Sequence, residues 1–298
     1  MLLNTGKGFS PGIEYSAGAF PEGIATGDFN RDGKVDIVTV NNLDNTVSLL
    51  LGKGGCTFQV QVQTPVDNYP TYVAVGDLNL DGNLDLVVGA FSEVDVLLGS
   101  GDGTFGTHLQ LSGGRESCVI GDFNNDGNPD VVSGGKLGVD VFLGNGNGTF
   151  QPGRNYDTTA SGPGLAADFN GDGNLDLAST DGFSIVTVNF GNGDGTFQQP
   201  QKYRGGDTPL YLTSGDFNGD GHSDLAISAD LSKRVGILIN DGTGIFLQSS
   251  TYVTTGNAFG ITAADLNGDG KLDLAVAAGG TSNSVNVLLA RTNGSFAD

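Results

Sequence analysis

The chain has 298 residues, of which 34 are Asp or Glu and 13 are Lys or Arg, so its net charge is −21. A body this acidic is repelled by phosphate backbones, which argues against nucleic-acid binding. Its 51 Gly follow no three-residue period, which excludes collagen, and no apolar run approaches the ~18 residues of a membrane span, which argues against membrane insertion.

From the N-terminus, MLLNTGKGF shows no basic stretch followed by an apolar one, so a signal peptide is expected to be absent or removed. An apolar run then leads into DFNRDGKVD at Asp28, the first of six copies of one pattern. The others are DLNLDGNLD from Asp77, DFNNDGNPD from Asp122, DFNGDGNLD from Asp168, DFNGDGHSD from Asp216 and DLNGDGKLD from Asp265. Each has Asp at positions 1, 5 and 9 and Asn at position 3. The eighteen motif carboxylates account for nearly all the net charge, since the remaining 16 acids face 13 bases.

Carboxylates packed this closely repel one another unless a cation sits among them. The donors are hard oxygens, which suit Ca²⁺ better than Zn²⁺ or Cu²⁺. The Gly at position 6 permits the sharp turn that brings positions 1, 3 and 5 round one point. Position 7 varies, as expected where only its backbone carbonyl is used. About six Ca²⁺ are expected, one per repeat. The candidate ligands are Asp28, Asn30, Asp32, Lys34 and Asp36; Asp77, Asn79, Asp81, Asn83 and Asp85; Asp122, Asn124, Asp126, Asn128 and Asp130; Asp168, Asn170, Asp172, Asn174 and Asp176; Asp216, Asn218, Asp220, His222 and Asp224; and Asp265, Asn267, Asp269, Lys271 and Asp273. The alternative is an Asx-rich surface turn, which needs no carboxylate triplets at fixed spacing. A helix–loop–helix calcium hand would need Glu at position 12, where this chain has Thr39, Val88, Ser133, Ser179, Ile227 and Val276.

After each motif comes a short β-like run such as VDIVTV or LDLAVAA, then a second such as VSLLLG or VNVLLA. A Gly-rich hairpin follows (LGSGDGTFG, LGNGNGTFQ, FGNGDGTFQ), whose Asp-Gly and Asn-Gly pairs supply positive φ. A further strand, often carrying Tyr, ends the unit. Four strands per ~47 residues is the pattern of a β-propeller blade.

The six DxNxDGxxD loops and their GNGDGTF-like hairpins resemble FG-GAP/VCBS repeats, the calcium-loop propeller repeats of integrin α-subunit heads and of some fungal and bacterial lectins. The resemblance covers essentially the whole chain. It implies a propeller fold, Ca²⁺ in each motif and an extracellular binding or adhesion role, and it names no ligand.

The blade count follows from spacing. The 27 residues before Asp28 and the 25 after Asp273 together supply one inter-motif segment plus about a dozen residues. LLNTGKGF at residues 2–9 resembles LLARTNGSF at residues 288–296, so the termini are expected to overlap and close a six-bladed ring, with a strand around Ile13–Tyr15 beside Val285–Leu289. The expectation is a single domain over residues 1–298; a truncated seven-bladed ring is the alternative.

Catalytic chemistry is poorly supplied, and the chain is expected not to be an enzyme. Of two His, His222 lies inside a loop, and no HExxH, GxSxG or P-loop pattern is present. A Ca²⁺-dependent polysaccharide-active enzyme stays as an alternative, because paired carboxylates distant in sequence can meet. Cys56 and Cys118 fall in non-neighbouring repeats and are expected to be free thiols. The sequons at Asn147 and Asn293 belong to the hairpin pattern, and Arg31-Asp32-Gly33 is part of a loop rather than an adhesion tripeptide.

The irregular segments join the fourth strand of one unit to the first of the next, and the second strand to the third. They carry Phe20, Tyr69, Tyr72, Arg115, Tyr211, Lys233, Arg234 and Phe259, the candidate ligand-binding residues. Aromatics beside polar loop residues suit sugar stacking or a protein hot spot; packing between blades is the competing role, above all for Tyr72 and Tyr211. The reading is a monomeric, extracellular or cell-surface module that binds a carbohydrate or protein. A purely architectural repeat of a larger surface protein is the rival.

Overall fold

Asp-Gly and Asn-Gly turns cut the chain into short runs rich in Val, Leu and Ile, and in the computed structural model these runs are strands throughout. The structure describes residues 12–113, 115–135, 138–156, 164–280, 284–291 and 294–297. They build six four-stranded antiparallel sheets, an all-β architecture of the six-bladed β-propeller class. Blade one uses Pro21–Gly27, Asp36–Asn41, Thr46–Leu50 and Val62–Pro65; blade two Tyr72–Gly76, Asp85–Gly89, Glu93–Gly99 and Phe105–Ser112. Blade three uses Arg115–Gly121, Asp130–Gly135, Gly138–Phe142 and Arg154–Tyr156; blade four Leu165–Ala167, Asp176–Thr180, Ile185–Asn189 and Gln201–Arg204. Blade five uses Pro209–Gly215, Asp224–Ala229, Arg234–Asn240 and Phe246–Val253; blade six Asn257–Ala264, Asp273–Gly279, Ser284–Ala290 and Phe296–Ala297. Packing groups the chain into two compact units, one holding Pro11–Asp157 with blades one to three, the other Thr158–Asp298 with blades four to six. Among the described residues no helix is long and apolar enough to cross a membrane.

The motif sets the register of every blade. Its ninth residue opens the second strand and lies opposite the residue that ends the first: Gly27 with Asp36, Gly76 with Asp85, Gly121 with Asp130, Ala167 with Asp176, Gly215 with Asp224 and Ala264 with Asp273. The second strands are buried on both faces in blades two, four and five. That is why they read as continuous apolar runs instead of alternating ones.

The second motif residue and the hairpin Phe join successive blades. Phe29, Phe169 and Phe217 are buried beneath their loops and meet Phe105, Phe246 and Phe296 of the next blade edge to face, at centroid distances of 5.9, 5.5 and 5.7 Å. Such pairs contribute about 0.5–1.5 kcal/mol beyond their burial. Backbone bonds follow the same path, from the Gly103 N–H to the Phe29 carbonyl and from the Gly148 N–H to the Leu78 carbonyl. The glycine that opens the hairpin in blades one to four answers a close approach. A Cβ on Gly52, Gly99, Gly144 or Gly191 would lie 2.1–2.3 Å from the carbonyl oxygen of Val35, Leu84, Pro129 or Leu175.

At the ends, Ile13–Tyr15 form no strand. Tyr15 instead packs edge to face on Phe58 at 5.2 Å and donates its hydroxyl to the Cys56 carbonyl. The strand Ser284–Ala290 is flanked by Asp273–Gly279 and by the short Phe296–Ala297. The expected overlap at residues 2–9 lies outside the described residues.

Both cysteines are free thiols, Cys56 exposed on a hairpin and Cys118 buried in the first strand of blade three. Burial pushes the Cys118 thiol up to about 12, because the thiolate would sit in an apolar core. A thiol reagent at pH 8 is therefore expected to label one cysteine in the native protein and two after unfolding in denaturant without reductant. Two fast native equivalents would contradict the packing of Cys118.

Candidate metal loops and ligand surface

Each nine-residue loop folds round the oxygens of its own side chains. The N–H of position 5 donates at once to position 1 and to the Asn at position 3: Asp32 to Asp28 at 3.0 Å and Asn30 at 3.1 Å, Asp220 to Asp216 at 3.1 Å and Asn218 at 2.9 Å, with the same pair in the other four loops. The Gly at position 6 donates to the second oxygen of position 1 at 2.8–2.9 Å in all six. Position 7 donates its N–H to position 5. Side-chain oxygens of positions 1 and 3 thus converge on one amide.

These bonds lower several of the position-5 carboxylates. The backbone N–H groups of Asn83 and Asn128 hold Asp81 and Asp126 below the usual carboxylate range, and the ammonium groups of Lys34 and Lys271 do so for Asp32 and Asp269. Lys34 and Lys271 reach those carboxylates at 2.7 and 3.0 Å, so loops one and six carry a cation of their own. The donor set of positions 1, 3 and 5, ionised carboxylate with amide oxygen, fits a hard divalent cation. Among the described residues, no three His, Cys, Asp or Glu side chains are gathered closely enough to hold a metal as they stand.

Position 9 does something the sequence did not disclose. Asp36, Asp85, Asp130, Asp176, Asp224 and Asp273 are all buried, and each spends its two oxygens on two backbone amides. One oxygen accepts from the second motif residue: Phe29, Leu78, Phe123, Phe169, Phe217 or Leu266. The other accepts from the residue that starts the hairpin: Gly52, Gly99, Gly144, Gly191, Asn240 or Ala290. The carboxylate ties the loop to the hairpin of its own blade. Burial raises Asp85 and Asp130 and pushes Asp176 and Asp224 up to about 6; the two amides pull back, and the charges at positions 5 and 1 add to the rise.

The other end of the blades is built differently. Phe20 and Tyr69 stand 61% and 53% exposed, each in the left-handed region at φ 57° and 55° and each followed by Pro. A non-Gly residue held there stores strain, a feature that clusters at functional sites. Neighbouring turns fix them: the Asn42 N–H donates to the Phe20 carbonyl, and Asn45 Oδ1 accepts the Tyr69 N–H at 2.9 Å. The remaining candidates divide. Tyr72 packs on the core between blades two and three, Tyr211 bonds through its backbone N–H to Ser228, and Phe259 lies over Gly279. Lys233 ends an exposed turn and Arg234, also exposed, opens the strand after it; Arg115 opens its strand, and its side chain lies outside what the structure describes. The sequence reading missed Phe91 and Phe183, which are 59% and 81% exposed on turns between second and third strands. Aligning those turns, NNLDNT with GAFSE, TDGFS and ADLSK, gives the signal: one apolar residue at each tip, Leu43, Phe91, Phe183 or Leu231. Tyr69 and Phe91 meet edge to face at 6.4 Å.

A model of the FG-GAP-like repeat matches residues 28–88, 77–133, 122–179, 168–227 and 216–276. No curated protein sequence matches the chain. Among solved structures, the chain is similar to an Agrocybe aegerita lectin described as recognising non-reducing terminal N-acetylglucosamine, with 21% identity, 93% of this chain and 79% of that one covered, and a TM-score of 0.65. It is similar to BBS1N in complex with ARL6DN at 14% identity, 94% and 82% coverage and a TM-score of 0.65. It is also similar to a luciferin-regenerating enzyme at 12% identity, 90% and 88% coverage and a TM-score of 0.53. At these identities the likeness shows the fold, which binding proteins and an enzyme share.

The buried tie has a pH signature. A carboxyl raised to about 6 in the folded state, against an ordinary value of 3.8, binds its proton more readily when folded. Its contribution favours the folded state as pH falls below 6 and is lost as pH rises through 6. In chelated protein, Asp224→Asn is expected to cost about 1–3 kcal/mol at pH 7, because its amide N–H₂ confronts a backbone N–H. The deficit relative to the parent chain widens at pH 5. Urea melts at the two pH values check this, and a deficit that narrows at pH 5 contradicts it.

Proposed function

Because the chain belongs to the FG-GAP-like repeat family, we propose that it is a non-catalytic module that works outside the cell, held by Ca²⁺ in its six loops and binding a carbohydrate through the strand-connecting turns at the other end of its blades. The observation that carries the reading is the exposure of Phe20, Tyr69, Phe91 and Phe183 on turns that backbone and Asn side-chain bonds hold in place, while the other Phe among the described residues are buried more deeply. Rigid aromatic faces beside polar turn residues suit stacking on sugar rings. The lectin among the similar structures supports this choice, and the complexed BBS1N keeps a protein ligand as the competing outcome.

Positions 1, 3 and 5 of each loop, with the carbonyl of position 7, would hold the ion. Bound Ca²⁺ supplies charge compensation: six ions change the net charge from −21 to −9. A site that binds only the folded chain adds about 2.7 kcal/mol when free ligand stands 100-fold above its Kd, so six such sites are comparable with a domain's whole stability. Millimolar Ca²⁺ outside cells saturates loops of this class.

Excess chelator is therefore expected to lower Tm steeply, with Ca²⁺ restoring it better than equal Mg²⁺. Asp172→Ala, which alters one loop and leaves its Asp176 tie in place, gives a smaller loss. An unchanged Tm together with no Ca²⁺ by elemental analysis defeats the metal assignment. For the ligand, a glycan array probed with the Ca²⁺-loaded chain is expected to give hits that Tyr69→Ala and Phe91→Ala weaken at least tenfold. Silence on the array, with a protein partner captured through the same residues, moves the reading to protein recognition.

A further inference from the structure

Blade five departs from its sisters at one third-strand position. Ser48, Asp95, Asp140, Thr187 and Asn286 occupy equivalent sites on the third strands, opposite Thr39, Val88, Ser133, Ser179 and Val276. In blade five the site is Gly236, opposite Ile227. A Cβ there meets nothing nearer than Ile227 Cδ1 at 4.0 Å, and the backbone is not left-handed, so a larger residue has room.

The missing side chain leaves a specific amide without an acceptor. Three residues ahead of Pro21, Pro70 and Ala258, the connector turns an N–H inward. Gly18 donates to Asn41 Oδ1 at 3.0 Å, Asp67 to Asp95 Oδ2 and Thr255 to Asn286 Oδ1 at 2.8 Å. In blade one, Asn41 reaches that point braced by Ser48; in blades two and six the third-strand side chain reaches it directly. The counterpart ahead of Pro209 is Gly206, whose N–H meets no acceptor among the described residues. It lines a cavity of about 310 Å³ together with Gly236, Arg204, Arg234, Ser232 and Thr251.

Charge points the same way. In blade two the buried Asp95 carboxylate takes the connector amide on one oxygen and faces His108 Nε2 at 2.8 Å with the other. Blade five lacks the carboxylate and has Gln248 at the register position of His108, and two guanidinium groups, Arg204 and Arg234, line the opening instead. Two of the chain's 13 basic residues line this one cavity, against a single exposed acid, Asp207. Arg234 is steadied by a bond from Nη1 to Thr251 Oγ1 at 3.3 Å. We infer that the blade-five cavity binds the carboxylate of an acidic sugar, seated where blade two carries the carboxylate of Asp95. The guanidinium groups match a carboxylate, the Gly206 N–H can donate to its second oxygen, and the Ser232 and Thr251 hydroxyls suit ring hydroxyls. The choice of a sugar rests on the carbohydrate reading of these turns.

The test titrates the full Ca²⁺-loaded chain, in buffer free of phosphate, with a galacturonate trisaccharide, the matching neutral galactose trisaccharide and an acidic Asp-Glu dipeptide. The uronate is expected to bind, at least tenfold more tightly than the neutral sugar. Arg234→Gln weakens it at least tenfold. Gly236→Asp, which supplies the chain's own carboxylate to Arg204, Arg234 and Gly206, abolishes binding with Tm unchanged or raised. The inference is overturned if the uronate does not bind, if Gly236→Asp leaves binding intact, or if the dipeptide or inorganic sulfate binds as well as the uronate. Neutral-glycan binding that Tyr69→Ala removes and Gly236→Asp spares would sink this inference and leave the carbohydrate reading standing.

Discussion

One buried carboxylate per blade carries the architecture. The Asp at motif position 9 bonds the amide behind the loop and the amide that starts the hairpin, so it fixes two amides that lie 23 residues apart in sequence in blades one and five, Phe29 with Gly52 and Phe217 with Asn240. Each bond to an ionised acceptor is worth about 1.5–3 kcal/mol, yet the carboxylate must leave water to make them. The raised values of Asp176 and Asp224 reflect desolvation that outweighs the two donors. The tie therefore gives geometry at a cost in charge, and the neighbouring Asp at positions 1 and 5 increase that cost.

From this tie the contacts between successive blades follow. Holding the hairpin against its loop aims the hairpin Phe at the previous blade, where Phe29, Phe169 or Phe217 waits under the preceding loop. The glycines of the hairpin are there for the same reason, since a carbonyl from the end of the loop occupies the space a side chain would need. The repeated GNGDGTF segment is thus a docking element between blades, and its uniformity reflects one shared contact.

Much of this was legible. Six motifs at ~47-residue spacing marked the blades, and the continuous apolar runs marked the doubly buried second strands. What stayed hidden depended on distance in sequence. Asp36 and Asp32 look alike in DFNRDGKVD, and only the fold distinguishes a buried tie from an exposed loop oxygen. Tyr72 and Phe20 both sit in irregular connectors, but one turns into the core and the other is held outward by a left-handed backbone ahead of Pro. Ile13–Tyr15 had the pattern of a strand, and the aromatic contact with Phe58 held the segment elsewhere.

The two ends of a blade consequently answer to different constraints. At the loop end, each oxygen has a counterpart in five other copies and every change meets the same amides, so variation falls on positions 2, 4, 7 and 8, whose side chains supply none of these oxygens. At the opposite end the connectors need only reach the next strand, and a connector amide is met by one polar side chain, from the third strand in blades two and six and from Asn41 of the second strand in blade one. That side chain can be Asp, Asn or a Ser–Asn pair without altering the register. It can also be dropped, as at Gly236, and what is dropped there is an acceptor and a volume, while the strand pairing persists. A repeat fold stabilised from its loop end is in this way free to convert a structural contact at its other end into an opening of defined polarity. Blade five, with its connector amide at Gly206 and no third-strand acceptor at Gly236, has the makings of such an opening.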